Sequence, residues 1–447
     1  METPICDFVR GYAAGDTLRL HMPGHKGVGP LGVEALDITE ISGADSLYEA
    51  GGIIRRSEEN AARLFGCETL YGVEGSSQCI RAMLYLTVLW ARQQGRRPII
   101  AAGRNAHKAF LSAAALLDLD VVWLTPKQPD SYLSCLIGAE DLSRALSAME
   151  ELPAAVYLTS PDYLGNIVDL AAISRVCRRL GVLLLVDNAH GAYLKFLPRS
   201  RHPMDLGADA CCASAHKTLP GLTGSAYLHL SGQAPDLFHR QARAAMALFG
   251  TTSPSYLILQ SLDLVNRYLA DGYARRLAAF LPLLRRCKDR LTAHGYALRE
   301  EEPLKITLRT RDYGYDGRAF AQLLRENAVE CEFADPDFVV LMPSLETGEA
   351  GLERLAGALL SIPRRPATLS QPPRFSLPRR VLSIREAAFS PCETVPAAQS
   401  LGRVLAAVTV GCPPAVPIVV CGERVDEAAI RCFLYYGVDS CCVVRDF

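Results

Sequence analysis

Seven lysines stand against forty arginines in this chain, and three of the seven directly follow a histidine: Lys26 after His25, Lys108 after His107, and Lys217 after His216. A general surplus of surface lysine does not account for that pairing, so lysine as a nucleophile is the chemistry to look for. The strongest local pattern is LLLVDNAHG, residues 183–191, an apolar run that ends in Asp187 with the small Ala189 two positions later. Thirty residues beyond Asp187, a second apolar run leads through Ser214 into Ala215-His216-Lys217. An acid at the C-terminal end of a parallel strand faces the ligand crevice of an α/β sheet. A lysine just past a later strand can converge on the same ligand. Pyridoxal 5'-phosphate (PLP) requires that pair: the lysine forms a Schiff base, and the carboxylate keeps the pyridine nitrogen protonated so that the ring accepts electrons.

Such a cofactor also needs a phosphate cradle. Gly75, Ser76 and Ser77 follow a strand pattern and open a helical one. Backbone N–H groups and hydroxyls at a helix start suit an anion. Taken alone, the same residues are equally a turn and a helix cap. Glu74 beside a phosphate is unfavourable unless its side chain turns away.

These residues need an α/β frame. Strand-like runs at 69–73, 98–102, 121–124, 155–159, 182–186, 209–213 and 226–230 alternate with helical patterns such as 78–93, 106–117 and 170–180. That alternation predicts a mostly parallel sheet of seven strands with helices on both faces. Around this large PLP-binding domain (61–270) the pattern places an extended N-terminal arm (1–60), a small α/β domain (271–362), a Pro-rich linker (363–379) and a short C-terminal α+β domain (380–447). The last holds a strand at 416–421 and a helix at 427–436. Three prolines break the longest uncharged stretch, 404–422, so it reads as buried strand and turn, not as a membrane span.

The net charge is −1, which gives no global reason to bind nucleic acid or an anionic membrane. Fifteen cysteines are an odd number without Cys-x-x-Cys spacing, and the N-terminus lacks a signal-peptide pattern. Reduced cysteines in a cytoplasmic protein, with no metal site, are the expectation.

At this point the sequence resembles the Orn/Lys/Arg decarboxylases, PLP enzymes of fold type I, with the aspartate-aminotransferase-like architecture. HMPGHKG (21–27) and DITEISGADSLYEAGG (37–52) look like the family's arm, VEGSSQ (73–78) its phosphate loop, RNAHKA (104–109) and VDNAHGAY (186–193) two further motifs. ASAHKTLPGLTGSA (213–226) matches the cofactor-lysine segment, TTSPSY (251–256) a later motif, and LSIREAAFSP (382–391) with CPPAVPIVVCGE (412–423) the C-terminal domain. The form is short, without the N-terminal receiver-like wing of large members. The resemblance implies decarboxylation of arginine, lysine or ornithine to the amine, feeding polyamine metabolism, in a homodimer or a higher assembly of dimers. It implies Lys217 as the Schiff-base lysine, Asp187 as partner of the pyridine nitrogen, His107 stacked over the ring, and Ala189 on its other face. Ser76, Ser77, Ser214 and His216 match positions at the phosphate or beside the lysine, and Lys217 or His216 returns a proton to Cα. His190 is equally a cofactor neighbour or a structural histidine.

A basic substrate carries a distal cation, which needs an acid. Asp45 and Glu49 in the arm and Glu393 in the C-terminal domain are the candidates, against the alternative that all three are solvated surface acids. The chain departs from the family at Asn188, where Glu is usual, at Glu74, at Cys412, and at Ala415, which replaces a glycine. Two other readings stay open: another fold-type-I reaction such as amino transfer or elimination, and a non-catalytic PLP-binding paralogue.

Overall fold

A computed structural model describes residues 1–126, 131–299, 301–368, 372–374, 377–408 and 415–445. All seven expected strands form: β1 (Glu68–Gly72), β2 (Ile99–Gly103), β3 (Asp120–Leu124), β4 (Ala155–Thr159), β5 (Leu183–Asp187), β6 (Ala210–Ser214) and β7 (Ala226–Leu230). The helices among and before them are α1 (Pro4–Ala14), α2 (Ile53–Phe65), α3 (Gly75–Gln93), α4 (Lys108–Leu117), α5 (Ala139–Ser147), α6 (Leu170–Leu180) and α7 (Ala215–Thr218). The α/β class and the mostly parallel sheet are therefore as expected. Among the described residues, no helix is long and apolar enough to cross a membrane.

The chain divides into two compact units that do not follow chain order. One comprises Met1–Pro98, Glu151–Ser160 and Leu170–Arg275, the other Ile99–Glu150, Pro161–Asp169 and Arg276–Phe447. In the first unit the strands lie in the order β1-β7-β6-β5-β4. β4, β5 and β6 are parallel, with Thr159 opposite Asp187 and Asp187 opposite Cys212, while β7 is antiparallel to both its neighbours. Burial on both faces explains why β4 to β6 read as near-continuous apolar runs. In the second unit β2 and β3 pair in parallel. That unit also carries a four-stranded antiparallel sheet in the order β10-β11-β9-β8, built from β8 (Leu298–Arg299), β9 (Ile306–Arg309), β10 (Phe333–Ala334) and β11 (Phe338–Leu341). An antiparallel pair of β12 (Cys392–Pro396) and β13 (Ser440–Val444) and the helix Glu427–Tyr436 lie near the C-terminus.

Two local expectations are corrected. The first sixty residues are not simply extended, because α1 forms at residues 4–14. Pro4 sits in its first turn, and Ile5, Cys6 and Val9 are buried. The Asp263 carboxylate accepts the backbone N–H groups of Ile5 and Cys6 at 3.0 Å each, a cap supplied from far along the chain that no local pattern reveals. Residues 416–421 do not form a strand. Pro417 has no N–H to give, its carbonyl and that of Ile418 accept from Arg104, and the Val420 N–H goes to Glu423, so side chains consume the bonds a ladder needs. Cys412 lies outside the described residues.

Candidate active site

The site grows from the C-terminal ends of β5 and β6. Asp187 closes β5 and is buried. Its Oδ1 accepts the Ala189 N–H at 3.1 Å and the Cys212 thiol at 3.4 Å, and its Oδ2 accepts the Tyr157 hydroxyl at 3.2 Å. Among the described residues no lysine, arginine or histidine pairs with it. Burial, and then the Asp187 charge, hold the Tyr157 phenol and the Cys212 thiol well above their ordinary values, so both remain donors.

β6 runs through Ser214 into the single turn of α7, which carries His216 and Lys217. Lys217 Nζ lies 3.1 Å from His190 Nε2, so the structure joins the lysine to the histidine of the acid-bearing motif. His216 Nδ1 is 2.9 Å from the Ser225 carbonyl oxygen. A Cβ at Gly75 would sit 3.9 Å from His216 Cε1, which puts this imidazole beside the start of α3.

The α3 N-terminus fits an anion. Gly75 has φ +69°, a conformation that favours glycine, and donates its N–H to the Gly224 carbonyl at 2.7 Å. Glu74, in the cap position, makes no side-chain cap bond; its carboxylate accepts the Thr251 N–H instead, turned away as expected. Ser76 is buried, Ser77 half-buried, and Gln78 behind them bonds to Tyr48 at 2.8 Å. The Ser214 hydroxyl is buried without a hydrogen-bond partner among the described residues. An acid lacking a cation, an orphaned hydroxyl and an uncapped helix start beside Gly75 are what a phosphorylated, cationic ring would complete, so the residues fit PLP. Ala189 is buried behind Asp187. Asn188 is buried with both amide atoms unpartnered among the described residues, and a glutamate there would bury a charge at greater cost.

In the second unit, His107 is the N-cap of α4, where its Nδ1 accepts the Ala109 N–H at 3.1 Å. The loop bearing it is pinned. Lys108 N–H donates to the Ala415 carbonyl at 2.9 Å, and the buried Arg104 pairs with Glu423 at 2.9 Å. Of the acids expected at a substrate cation, Asp45 serves the backbone. Its carboxylate accepts backbone N–H groups of Gly51, Gly52, Ile54 and Arg55, which uses its acceptor capacity to start α2. Glu393 lies on β12 and pairs with Arg403 at 2.6 Å, which holds its carboxyl below the usual range. Glu49 is exposed, and no hydrogen bond or ion pair of its carboxylate is found among the described residues. Tyr157 and Cys212 were not legible in advance, because their approach to Asp187 depends on strand register.

Fold and site together define a PLP-dependent α/β enzyme. A family model described as "Orn/Lys/Arg decarboxylase, major domain" matches residues 3–292, and the chain belongs to that family, whose members decarboxylate basic amino acids with PLP. It is 28% identical over 464 residues to an arginine decarboxylase of Halalkalibacterium halodurans, covering 96% of this chain and 92% of that one. It is also 28% identical over 474 residues to an arginine decarboxylase of Bacillus subtilis, covering 98% and 94%. A lysine decarboxylase of Francisella novicida shares the fold with TM-score 0.80 at 17% identity, over 98% of this chain and 79% of that one.

Proposed function

We propose that the substrate is arginine and that the product is the corresponding guanidino amine, a polyamine precursor. Support comes from the full-length similarity to the two arginine decarboxylases, whereas a lysine decarboxylase of Pseudomonas aeruginosa matches over only 33% of its own length. The observation that carries the catalytic reading is Asp187, buried among donors and without a cation among the described residues, on the strand beside the one that leads to Lys217.

Bound PLP supplies the electron sink for the pair left when the Cα–carboxylate bond breaks. Lys217 would hold the cofactor covalently. Asp187 sets a negative charge against the ring nitrogen. Gly75, Ser76, Ser77, Ser214 and His216 hold the phosphate, and Ala189 leaves room for the ring. The 104–109 motif assigns His107 to the ring face, with its orientation set by the cap bond to Ala109. Lys217 delivers the proton to Cα, and His190, 3.1 Å from the amine, is placed to exchange that proton with it. Glu49, the one uncommitted acid of the three candidates, takes the substrate's distal cation.

The active form is a homodimer. Leu18, Leu20, Met22, Val28 and Leu31 of the arm are 69% to 81% exposed, an apolar stretch that needs a second surface. The protein acts in the cytoplasm, in keeping with described cysteines that form no disulfide.

CO₂ release by purified protein with PLP and arginine, lysine or ornithine tests the substrate. Arginine should give the highest kcat/KM, and preference for lysine or ornithine overturns the assignment. Glu49→Gln should raise KM for arginine far more than it weakens PLP binding. Sedimentation should show a dimer; a monomer of full activity contradicts that part.

A further inference from the structure

Among the described residues Asp187 meets three donors and no acceptor, the environment of a carboxylate anion, which can only accept. Such a group has about four lone-pair sites, two on each oxygen. Ala189 and Cys212 occupy both sites of Oδ1, and Tyr157 occupies one of Oδ2. What remains is a single acceptor site on Oδ2.

The two side-chain donors are built in, not incidental. Tyr157 lies on β4 and Cys212 on β6, the strands on either side of β5, and both are fully buried. Cys212 stands directly opposite Asp187 in the parallel register. Tyr157 is two residues before Thr159, the other residue opposite Asp187, and so shares its face. An apolar core has no need of a phenol at this depth, since phenylalanine would fill the same volume without a polar atom to satisfy.

We propose that Tyr157 and Cys212 are positioning residues that hold the Asp187 carboxylate with one Oδ2 lone pair turned to the pyridine nitrogen and keep the shared proton on that nitrogen. The proposal rests on the reading that Asp187 serves the ring nitrogen. Its physical basis is that donors to a carboxylate stabilise the charged form, so the proton between acid and ring is held by the ring. Without them the carboxylate competes for that proton, and the ring becomes a poorer electron acceptor.

The test uses holoenzyme carrying PLP labelled with ¹⁵N in the ring, which reads the protonation of that nitrogen directly. Tyr157→Phe and Cys212→Ala should each shift the ¹⁵N resonance from the protonated toward the unprotonated position. Each should lower kcat about tenfold, the scale of one hydrogen bond to a charged group, and leave KM nearly unchanged. Cys212→Ser keeps a donor and should restore both readouts. Folded Tyr157→Phe and Cys212→Ala holoenzymes with wild-type resonance and kcat would overturn the proposal. Asp187→Asn is the reference. An unchanged resonance there refutes the underlying reading of Asp187, whereas a shift in Asp187→Asn but not in the other variants refutes the positioning role alone.

Discussion

Asp187 in the first unit and Glu423 in the second are both buried acids, and the chain treats them differently. Glu423 accepts the Val420 N–H at 2.7 Å and is given a cation, Arg104, at 2.9 Å. Burial pushes the Glu423 carboxyl up, and Arg104 pulls it back. Both charges come from the protein, and their product is structure: a C-terminal segment fixed to the loop that carries His107. Asp187 is given only neutral donors among the described residues. A buried anion without a cation is costly. At Asp187 a ligand can bring the missing charge, and in this family that ligand is PLP. In this pair the acid given a protein cation holds a segment of the fold, and the acid given none among the described residues is the one assigned to the cofactor. Asp263, which accepts the Ile5 and Cys6 N–H groups, shows that neutral donors also serve structure.

The sharpest way to break this distinction is to neutralise each acid in turn. Asp187→Asn should cut kcat by roughly 10²–10³-fold, the scale for losing one preorganised electrostatic partner, while PLP stays bound and the melting temperature moves little. Glu423→Gln strands the buried Arg104 charge and should cost about 3 kcal/mol of stability, read as a lower Tm or denaturation midpoint. If Asp187→Asn instead unfolds the protein and Glu423→Gln leaves Tm unaltered, the contrast fails.

A third buried acid sharpens it. Asp335 accepts the N–H groups of Asp337 and Phe338 through Oδ1, but its Oδ2 has no partner among the described residues. Burial pushes its carboxyl up to about 7; the backbone donors oppose this, and Asp337 adds to it. A folded value raised above the unfolded one of about 3.9 gives stability that is fully present below pH 4 and lost as pH rises through 7. Thermal unfolding should therefore show a Tm decline between about pH 4 and 7 that Asp335→Asn reduces. An identical pH profile in that variant refutes the assignment. The smallest effect concerns the backbone that Lys108 grips. Ala415 has φ +57°, where the family's glycine pays no steric cost. Ala415→Gly should stabilise the protein by about 1 kcal/mol in chemical denaturation.

Much of this was legible in the sequence, for identifiable reasons. β4 and β7 carry their expected bounds, β3 starts one residue early, and β1, β2, β5 and β6 are displaced by one residue, because buried strands are apolar runs. Lys217, Asp187 and Gly75 were legible because each stands at a strand end or helix start that local pattern marks. Helix α1 was missed because the Asp263 cap comes from more than 250 residues away. Residues 416–421 were misread because an apolar run does not reveal that Arg104 takes its carbonyls. The bonds from the Gly51, Gly52 and Ile54 N–H groups to Asp45 were not legible, because sequence does not show which backbone a carboxylate folds onto. Tyr157 and Cys212 depend on register, which is a property of paired strands and not of either strand alone.

The central claim is that Lys217 carries the cofactor opposite Asp187. Purified protein reconstituted with PLP, reduced with borohydride, digested and mapped by mass spectrometry tests it most directly. The account predicts the reduced cofactor on Lys217. Label on Lys26 or Lys108, with Lys217 unmodified, would contradict it.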